Sequence, residues 1–241
     1  MILKLLPPSA STTAEFVDPI LKFLFYISLF FVGLIVMLAT IFVMKYRRKE
    51  EKEWVANVPS HNLWLEITWI SIPTIIVLVL FFWGFRGFLH LSIAPDHSYQ
   101  IKVTGQKWFW SFDYPEGVTT VNQLVVPQGR SVKLLLSSRD VIHSFFVPAF
   151  RIKRDVLPNR YTIAWFNATR IGEYPLFCAE YCGTEHSKMV GTVKIVEEIA
   201  FSSWIDSVSR VSEGLSLEEW GSKLFVAKAC YTCHSLDGTP G

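Results

Sequence analysis

Residues 178–189 read Cys-Ala-Glu-Tyr-Cys-Gly-Thr-Glu-His-Ser-Lys-Met, which places two thiols, an imidazole and a thioether within twelve residues. Cys178, Cys182, His186 and Met189 follow one another at spacings of four, four and three. Thiolate and imidazole donors select copper or zinc over magnesium or calcium. Structural zinc sites close with cysteine and histidine alone, so the added methionine tilts the choice toward copper. A second unit, Cys230-Tyr-Thr-Cys233-His234, has the C-x-x-C-H form through which haem c is covalently attached. Two redox sites on one chain point to an electron conduit.

Another imidazole, His143, lies upstream in Asp140-Val-Ile-His-Ser-Phe-Phe-Val-Pro148, an apolar, strand-like segment. Two thiolates could bridge two copper ions, each ion also taking one histidine. Met189 and a backbone carbonyl near Glu180 could then supply weaker axial contacts. A loop anchored on a β-barrel would hold such ligands nearly still as the metal changes oxidation state, and that favours fast electron transfer. Two plainer readings stand beside this one. Cys178 and Cys182 could form a disulfide in an oxidising compartment, leaving His186 on the surface and Met189 in the core. The cluster could equally hold a single zinc ion. For the distal unit the alternatives are a chance match, a zinc site or a thiol-redox pair.

The elements that must position these residues begin in a membrane. Of 241 residues 51% are hydrophobic, and the mean hydropathy of +0.32 is high for a soluble domain. Residues 23–44 and 67–85 carry no charge over 22 and 19 positions, long enough to cross about 30 Å of hydrocarbon as helices. Pro73 falls in the second, where transmembrane helices tolerate such breaks. Lys45, Arg47, Arg48, Lys49 and Lys52 lie between the spans, and positive loops stay cytoplasmic. Both termini, and everything from about residue 91 onward, are therefore expected on the periplasmic side of a bacterial inner membrane. A net charge of +2 without a basic stripe gives no sign of nucleic-acid binding. The apolar run at the N-terminus is too short for a signal-peptide core and reads as the remnant of one or as a short outer segment.

Beyond the spans the periodicity becomes alternating. Residues 99–104, 107–114, 118–126, 131–138, 161–167 and 191–196 read as short strands, with turns at Pro115-Glu-Gly117, Pro127-Gln-Gly129 and Pro158-Asn159. This spacing predicts a β-sandwich or Greek-key barrel of about a hundred residues. Residues 201–211 read as a short amphipathic helix or linker, and Ser216-Leu-Glu-Glu219 as a capping box opening a helix toward Cys230. Only seven residues follow His234 and no methionine lies downstream of it, so a haem module there is expected to be incomplete and to lack its distal ligand.

Taken together, the 178–189 cluster, the Asp140–Pro148 segment and Gly105-Gln-Lys-Trp108-Phe-Trp110 resemble subunit II of the haem-copper cytochrome c oxidases, which carries the binuclear CuA centre. The likeness runs from the hairpin to about residue 196. It implies a two-helix transmembrane hairpin followed by an all-β, cupredoxin-like Greek-key barrel. The start of an α-helical cytochrome c module would come next, as in caa3-type bacterial oxidases. The expected bounds are an outer segment 1–22, a hairpin 23–90 with its cytoplasmic loop at about 45–62, a CuA domain 91–198, a linker 199–215 and an incomplete haem module 216–241.

The resemblance also implies roles. His143, Cys178, Cys182, His186, Met189 and the Glu180 carbonyl would hold copper, while the Glu180 side chain would reach a magnesium ion bordering subunit I. Trp108 would mark the surface where electrons are accepted, with Trp110 more at home in strand packing. Glu66 would stand at the mouth of a proton channel, and Cys230, Cys233 and His234 would bind haem c. Arg151, Lys153 and Arg154 would pair with haem propionates or carboxylates of subunit I, or simply solvate a loop. The implied activity is oxygen reduction with proton pumping, the oxygen site lying on subunit I rather than here. The implied partners are subunits I and III and a cytochrome c or upstream quinol-oxidising complex. One departure is visible: the family often has proline after the ligand methionine, whereas Val190 and Gly191 follow Met189 here. Quinol oxidase subunits lack these ligands, and nitrous oxide reductase needs a large propeller. A membrane-tethered copper carrier remains as the alternative from a different class.

Overall fold

A computed structural model of the chain describes residues 6–47, 61–210, 216–227, 230, 234 and 235. They fall into two compact units, Phe16–Phe88 and the remainder. The first contains nearly all of two long helices, α1 (Thr13–Tyr46) and α2 (Leu63–Ser92), which touch through Phe23 and Trp83 at a ring-centroid distance of 5.9 Å. Both run past the expected spans, α1 chiefly at its N-terminal end and α2 at both, and both are long and apolar enough to cross a membrane. A helix satisfies its own backbone where no water is available. The hydroxyls obey the same constraint: Thr40, Thr68 and Thr74 each donate to the carbonyl four residues back, at 2.8, 2.7 and 2.7 Å. Much of the basic cluster between the spans (Arg48, Lys49 and Lys52) lies outside the described residues.

The second unit is a sandwich of two five-stranded sheets. One is ordered β3-β2-β1-β5-β8, from β1 (Tyr99–Gln106), β2 (Phe109–Asp113), β3 (Thr119–Val121), β5 (Ser131–Ser138) and β8 (Thr162–Asn167). The other is ordered β4-β10-β9-β6-β7, from β4 (Gln123–Pro127), β6 (His143–Val147), β7 (Ile152–Val156), β9 (Gly172–Cys178) and β10 (Val190–Val196). The neighbours β1–β5 and β4–β10 are parallel and non-consecutive, which gives the crossed connections of a cupredoxin-like Greek key. Alternation in β1 and β5 sends Ile101, Val103, Leu134 and Leu136 inward to meet Trp110, Phe112, Phe145 and Phe166. Tyr114 ties the sheets together, its hydroxyl donating to the Val125 carbonyl at 3.0 Å and accepting from the Val125 N–H at 2.8 Å.

Three features differ from the sequence-based expectation. The single strand expected over 118–126 is two, because Asn122 takes a left-handed conformation (φ 56°) and transfers the chain between sheets. Its side chain accepts the Trp110 N–H at 2.8 Å, which fixes the corner. Strands β7 and β9 were not anticipated, the second because Pro175 interrupts its pattern. Residues 198–209 take the helical one of the two expected forms, α3 (Glu198–Ser209), in which Phe201 packs on Tyr99 and Tyr114 and Ile205 is buried, so this stretch belongs to the sandwich rather than acting as a free linker.

The N-terminal segment is likewise part of the sandwich unit. Ala10 is fully buried, its N–H donates to Ala149 O at 2.9 Å, and its carbonyl accepts from Thr169 N at 2.9 Å. Beyond the sandwich, α4 (Leu217–Ala227) opens with the expected capping box: the Glu219 N–H donates to Ser216 Oγ at 3.2 Å and the Ser216 N–H to Glu219 Oε2 at 3.0 Å.

Candidate metal centre

The sheet order assembles the cluster. Strand β9 lies between β10 and β6, and Cys178 is its last residue. On one side the Cys178 N–H donates to Met189 O at 3.2 Å, so the loop returns beside its own start. On the other, the Ala179 N–H donates to Ser144 O at 2.9 Å, next to His143 at the head of β6. Between these anchors the loop turns at Gly183 (φ 121°) and forms a short 3-10 turn over His186–Lys188.

The donor atoms converge in pairs. Cys178 Sγ and Cys182 Sγ are 3.9 Å apart, and both cysteines are free thiols. Cys178 Sγ faces His143 Nδ1 at 3.8 Å and the Glu180 carbonyl at 3.3 Å. Cys182 Sγ faces His186 Nδ1 at 3.4 Å and Met189 Sδ at 3.8 Å. Each thiol thus has one imidazole and one weak donor of its own. The ligand atoms of His143, Cys178 and Cys182 all lie within 4.8 Å of one another, and all three residues are buried. A sulfur-rich set of this kind could hold soft metal ions such as copper.

Electrostatics separates the two thiols. Burial raises the Cys178 pKa, but the His143 ring and backbone N–H groups at its sulfur outweigh this and bring it down to about 6. Burial, and then the charge on Cys178, push Cys182 up to about 12. Burial disfavours the charged forms of His143 and Asp140, but hydrogen bonds to Cys178 and then to Asp140 hold His143 above the ordinary range, and those from the His143 ring and the Lys107 and Val141 N–H groups hold Asp140 below it. His143 Nε2 is 2.8 Å from Asp140 Oδ1. A carboxylate only accepts, so Nε2 carries the proton and Nδ1 is the nitrogen turned toward the sulfurs.

The other expected residues are dispersed. Trp110 is buried against His143 and Phe145 as core. Trp108 is half-buried and lies over Gly183, where an added Cβ would come within 3.3 Å of its ring. The Glu180 side chain is exposed. Glu66 sits in the first turn of α2, 2.7 Å from His61 Nδ1, and accepts the Asn62 N–H at 3.3 Å. Arg151 Nη1 donates to Pro148 O at 2.7 Å and its Nη2 to Pro7 O at 2.9 Å, while Lys153 pairs with Asp155 at 3.3 Å and Arg154 is exposed. Cys230 and His234 are described, with the His234 N–H donating to Cys230 O at 2.8 Å, but Cys233 lies outside the described residues. Sequence reasoning gave no role to Asp140, Gly105 or Gly183. Only the spacing of Asp140 three residues before His143 hinted at the first.

Two family profiles match the chain: "Cytochrome C oxidase subunit II, transmembrane domain" over residues 2–86 and "Cytochrome C oxidase subunit II, periplasmic domain" over 117–196. Cytochrome c oxidase subunit 2 of Alkalihalophilus pseudofirmus is 33% identical over 85% of this chain and 63% of its own length. The probable cytochrome c oxidase subunit 2 of Rickettsia bellii is 30% identical over 85% of this chain and 84% of its own. The crystal structure of the periplasmic domain of subunit II from Bradyrhizobium japonicum aligns at 30% identity and a TM-score of 0.47, covering 49% of this chain and 98% of that one. The chain thus spans just under two thirds of one curated relative and more than four fifths of another. It belongs to the cytochrome c oxidase subunit II family, as a membrane protein with two N-terminal transmembrane helices and a periplasmic domain.

Proposed function

We propose that this chain is the electron-input subunit of an aerobic terminal oxidase, holding a binuclear copper centre on His143, Cys178, Cys182, His186, Met189 and the Glu180 carbonyl. The observation that carries this reading is the division of donors, one imidazole and one weak donor for each of two adjacent thiols. When bound, such a copper pair supplies a reversible one-electron acceptor. The chain's contribution is rigidity: His143 and Cys178 sit at strand ends above a packed core, and the loop carrying the other donors is tied back at Cys178 and Ala179, so the donors move little between charge states. Burial of Cys178, Cys182 and His143 disfavours the carrier alternative, which requires exposed, exchangeable ligands.

Trp108 accepts electrons at the surface, with a cytochrome c as donor, and subunit I receives them for oxygen reduction and proton pumping. The exposed Glu180 carboxylate is free to reach a magnesium ion at the subunit I border. Glu66 serves as the mouth of a proton path on the cytoplasmic side, and Cys230, Cys233 and His234 attach haem c, making the donor a tethered one. Tethering raises its effective concentration into the millimolar range. Subunit III completes the complex.

Metal analysis with a visible spectrum of the purified chain tests the central reading. Two copper ions per chain and a mixed-valence purple absorption are expected. Cys182→Ser is expected to abolish that absorption, and a variant keeping both coppers and oxidase activity would refute the ligand set. A haem c band in the same spectrum checks the distal unit.

A further inference from the structure

Asp140 lies at a junction that neither the donor set nor the sheet order requires. Its Oδ1 is 2.8 Å from His143 Nε2 and accepts the Val141 N–H at 2.7 Å, while its Oδ2 accepts the Lys107 N–H at 2.8 Å. Lys107 immediately precedes Trp108. A second tie runs parallel, the Arg139 N–H donating to Gly105 O at 3.1 Å, so the segments 105–108 and 138–143 are clasped at two points. Ser138 supports the carboxylate from behind, its Oγ accepting the Asp140 N–H at 3.2 Å and lying 3.3 Å from Oδ1.

Two glycines complete the arrangement. At Gly105 an added Cβ would stand 3.0 Å from His143 Cδ2 and 3.3 Å from the Trp110 ring, so glycine leaves the space the imidazole occupies. At Gly183 an added Cβ would stand 3.3 Å from the Trp108 indole, and its φ of 121° already disfavours a side chain. Gly183 directly follows Cys182. A continuous contact path therefore runs from His143 through Asp140 and Lys107 to Trp108, and back through Gly183 to the second thiol.

We propose that Asp140 is a positioning residue serving two sites at once: it orients the His143 imidazole toward the thiols and pins the segment that seats Trp108 on the metal loop. The inference rests on the copper-holding reading above and extends it. Partners that fix a ligating histidine commonly alter metal affinity or activity by about 10- to 100-fold. Here the same carboxylate also reaches the surface on which a donor protein would dock. Its two acceptor oxygens serve donors on different segments, the His143 ring and the Lys107 N–H. An asparagine offers one acceptor oxygen and one donor group, so it satisfies one of these partners and not the other.

The test uses the full chain within its purified oxidase, with wild type, Asp140→Ala, Asp140→Asn and Gly183→Ala. Four quantities are read: copper per chain, the copper spectrum and potential, the rate of electron acceptance from reduced cytochrome c, and Lys107 amide exchange in the copper-free chain. Asp140→Ala is expected to shift the spectrum and potential, to slow acceptance about tenfold and to speed Lys107 exchange about tenfold. Asp140→Asn is expected to recover one side of this pattern but not both. Gly183→Ala is expected to slow acceptance and, by strain beside Cys182, to shift the spectrum, while Lys107 exchange stays at the wild-type rate. Should Asp140→Ala fail to fold, the Asp140→Asn split and Gly183→Ala decide the matter.

A wild-type spectrum or wild-type electron acceptance in Asp140→Ala, or recovery of both sides in Asp140→Asn, overturns the proposal. Unchanged acceptance in Gly183→Ala overturns the seating of Trp108. A wild-type chain without copper would instead defeat the copper reading, and Lys107 exchange would still report whether Asp140 pins the loop.

Discussion

The two units of this chain treat apolar side chains in opposite ways. In the sandwich, Trp110, Phe112, Phe145, Phe150 and Phe166 are all fully buried by the chain's own residues. In the helical unit, Phe30, Ile35, Phe81 and Phe82 stand about 60% exposed, and Gly87 is the one buried residue of α2. The sandwich has its own solvent-free interior and can hold ligands still. The helices satisfy their backbones but leave their side chains to lipid or to another subunit, as membrane helices do. The metal cluster accordingly sits on the unit whose packing is self-contained.

Trp110→Ala is expected to cost the sandwich about 3–5 kcal/mol, read as a drop in its denaturation midpoint. Phe82→Ala, removing a similarly large ring from the exposed helical unit, should leave that midpoint within about 0.5 kcal/mol. Equal losses from both would mean that the units do not differ as described.

Gly191→Ala comes next. Its Cβ would meet the Asn122 carbonyl at 2.7 Å, backbone that cannot swing aside, and about 1–3 kcal/mol of destabilisation is expected. The strain falls beside Met189, so a shifted copper spectrum should accompany it. Gly191 follows directly on the departure from the family's proline, where β10 begins.

Ser11→Ala probes the N-terminal segment. The hydroxyl donates to Phe150 O at 2.9 Å inside the unit, and its loss should cost about 1 kcal/mol of sandwich stability, measured by chemical denaturation. No change would show that this segment adds nothing to the fold.

The smallest expected effect is electrostatic. The Ser144 hydroxyl, donating at 2.8 Å, holds the Asp155 carboxyl below its ordinary range, with Lys153 assisting. A depressed folded-state pKa contributes stability above the unfolded value, near pH 4, and loses it as pH falls through the folded value. Asp155 is more than half exposed, so solvent screening keeps the amount below about 1 kcal/mol. Ser144→Ala should therefore lower stability slightly at pH 6 and not at pH 2, as denaturation curves at the two pH values would show.

Much of the site was readable from residue types. The soft donors at 178–189 point to a metal before the fold is known, with a disulfide as the plainer alternative, and the structure leaves both cysteines as free thiols facing two imidazoles. The two spans were equally legible, since nothing but lipid or a partner accommodates such uncharged runs. The strands were only partly so. Asn122 divides one expected strand because its left-handed backbone is stabilised by a hydrogen bond to Trp110, a residue twelve positions away. Strand β9 escaped notice because a proline interrupts its pattern, yet it ends in the first cysteine.

Donor chemistry, membrane segments and the alternating character of the domain are legible in the residues alone, because they follow from side-chain type and short spacing. Only the tertiary structure decided that His143, 35 residues before Cys178, faces its sulfur. The sheet order sets β6 beside β9 and so brings His143 to Cys178, while the loop folded between β9 and β10 brings His186 to Cys182. The same assembly made Asp140 a link between an imidazole and the Trp108 segment, a role that depends on three loops meeting at one end of the sandwich.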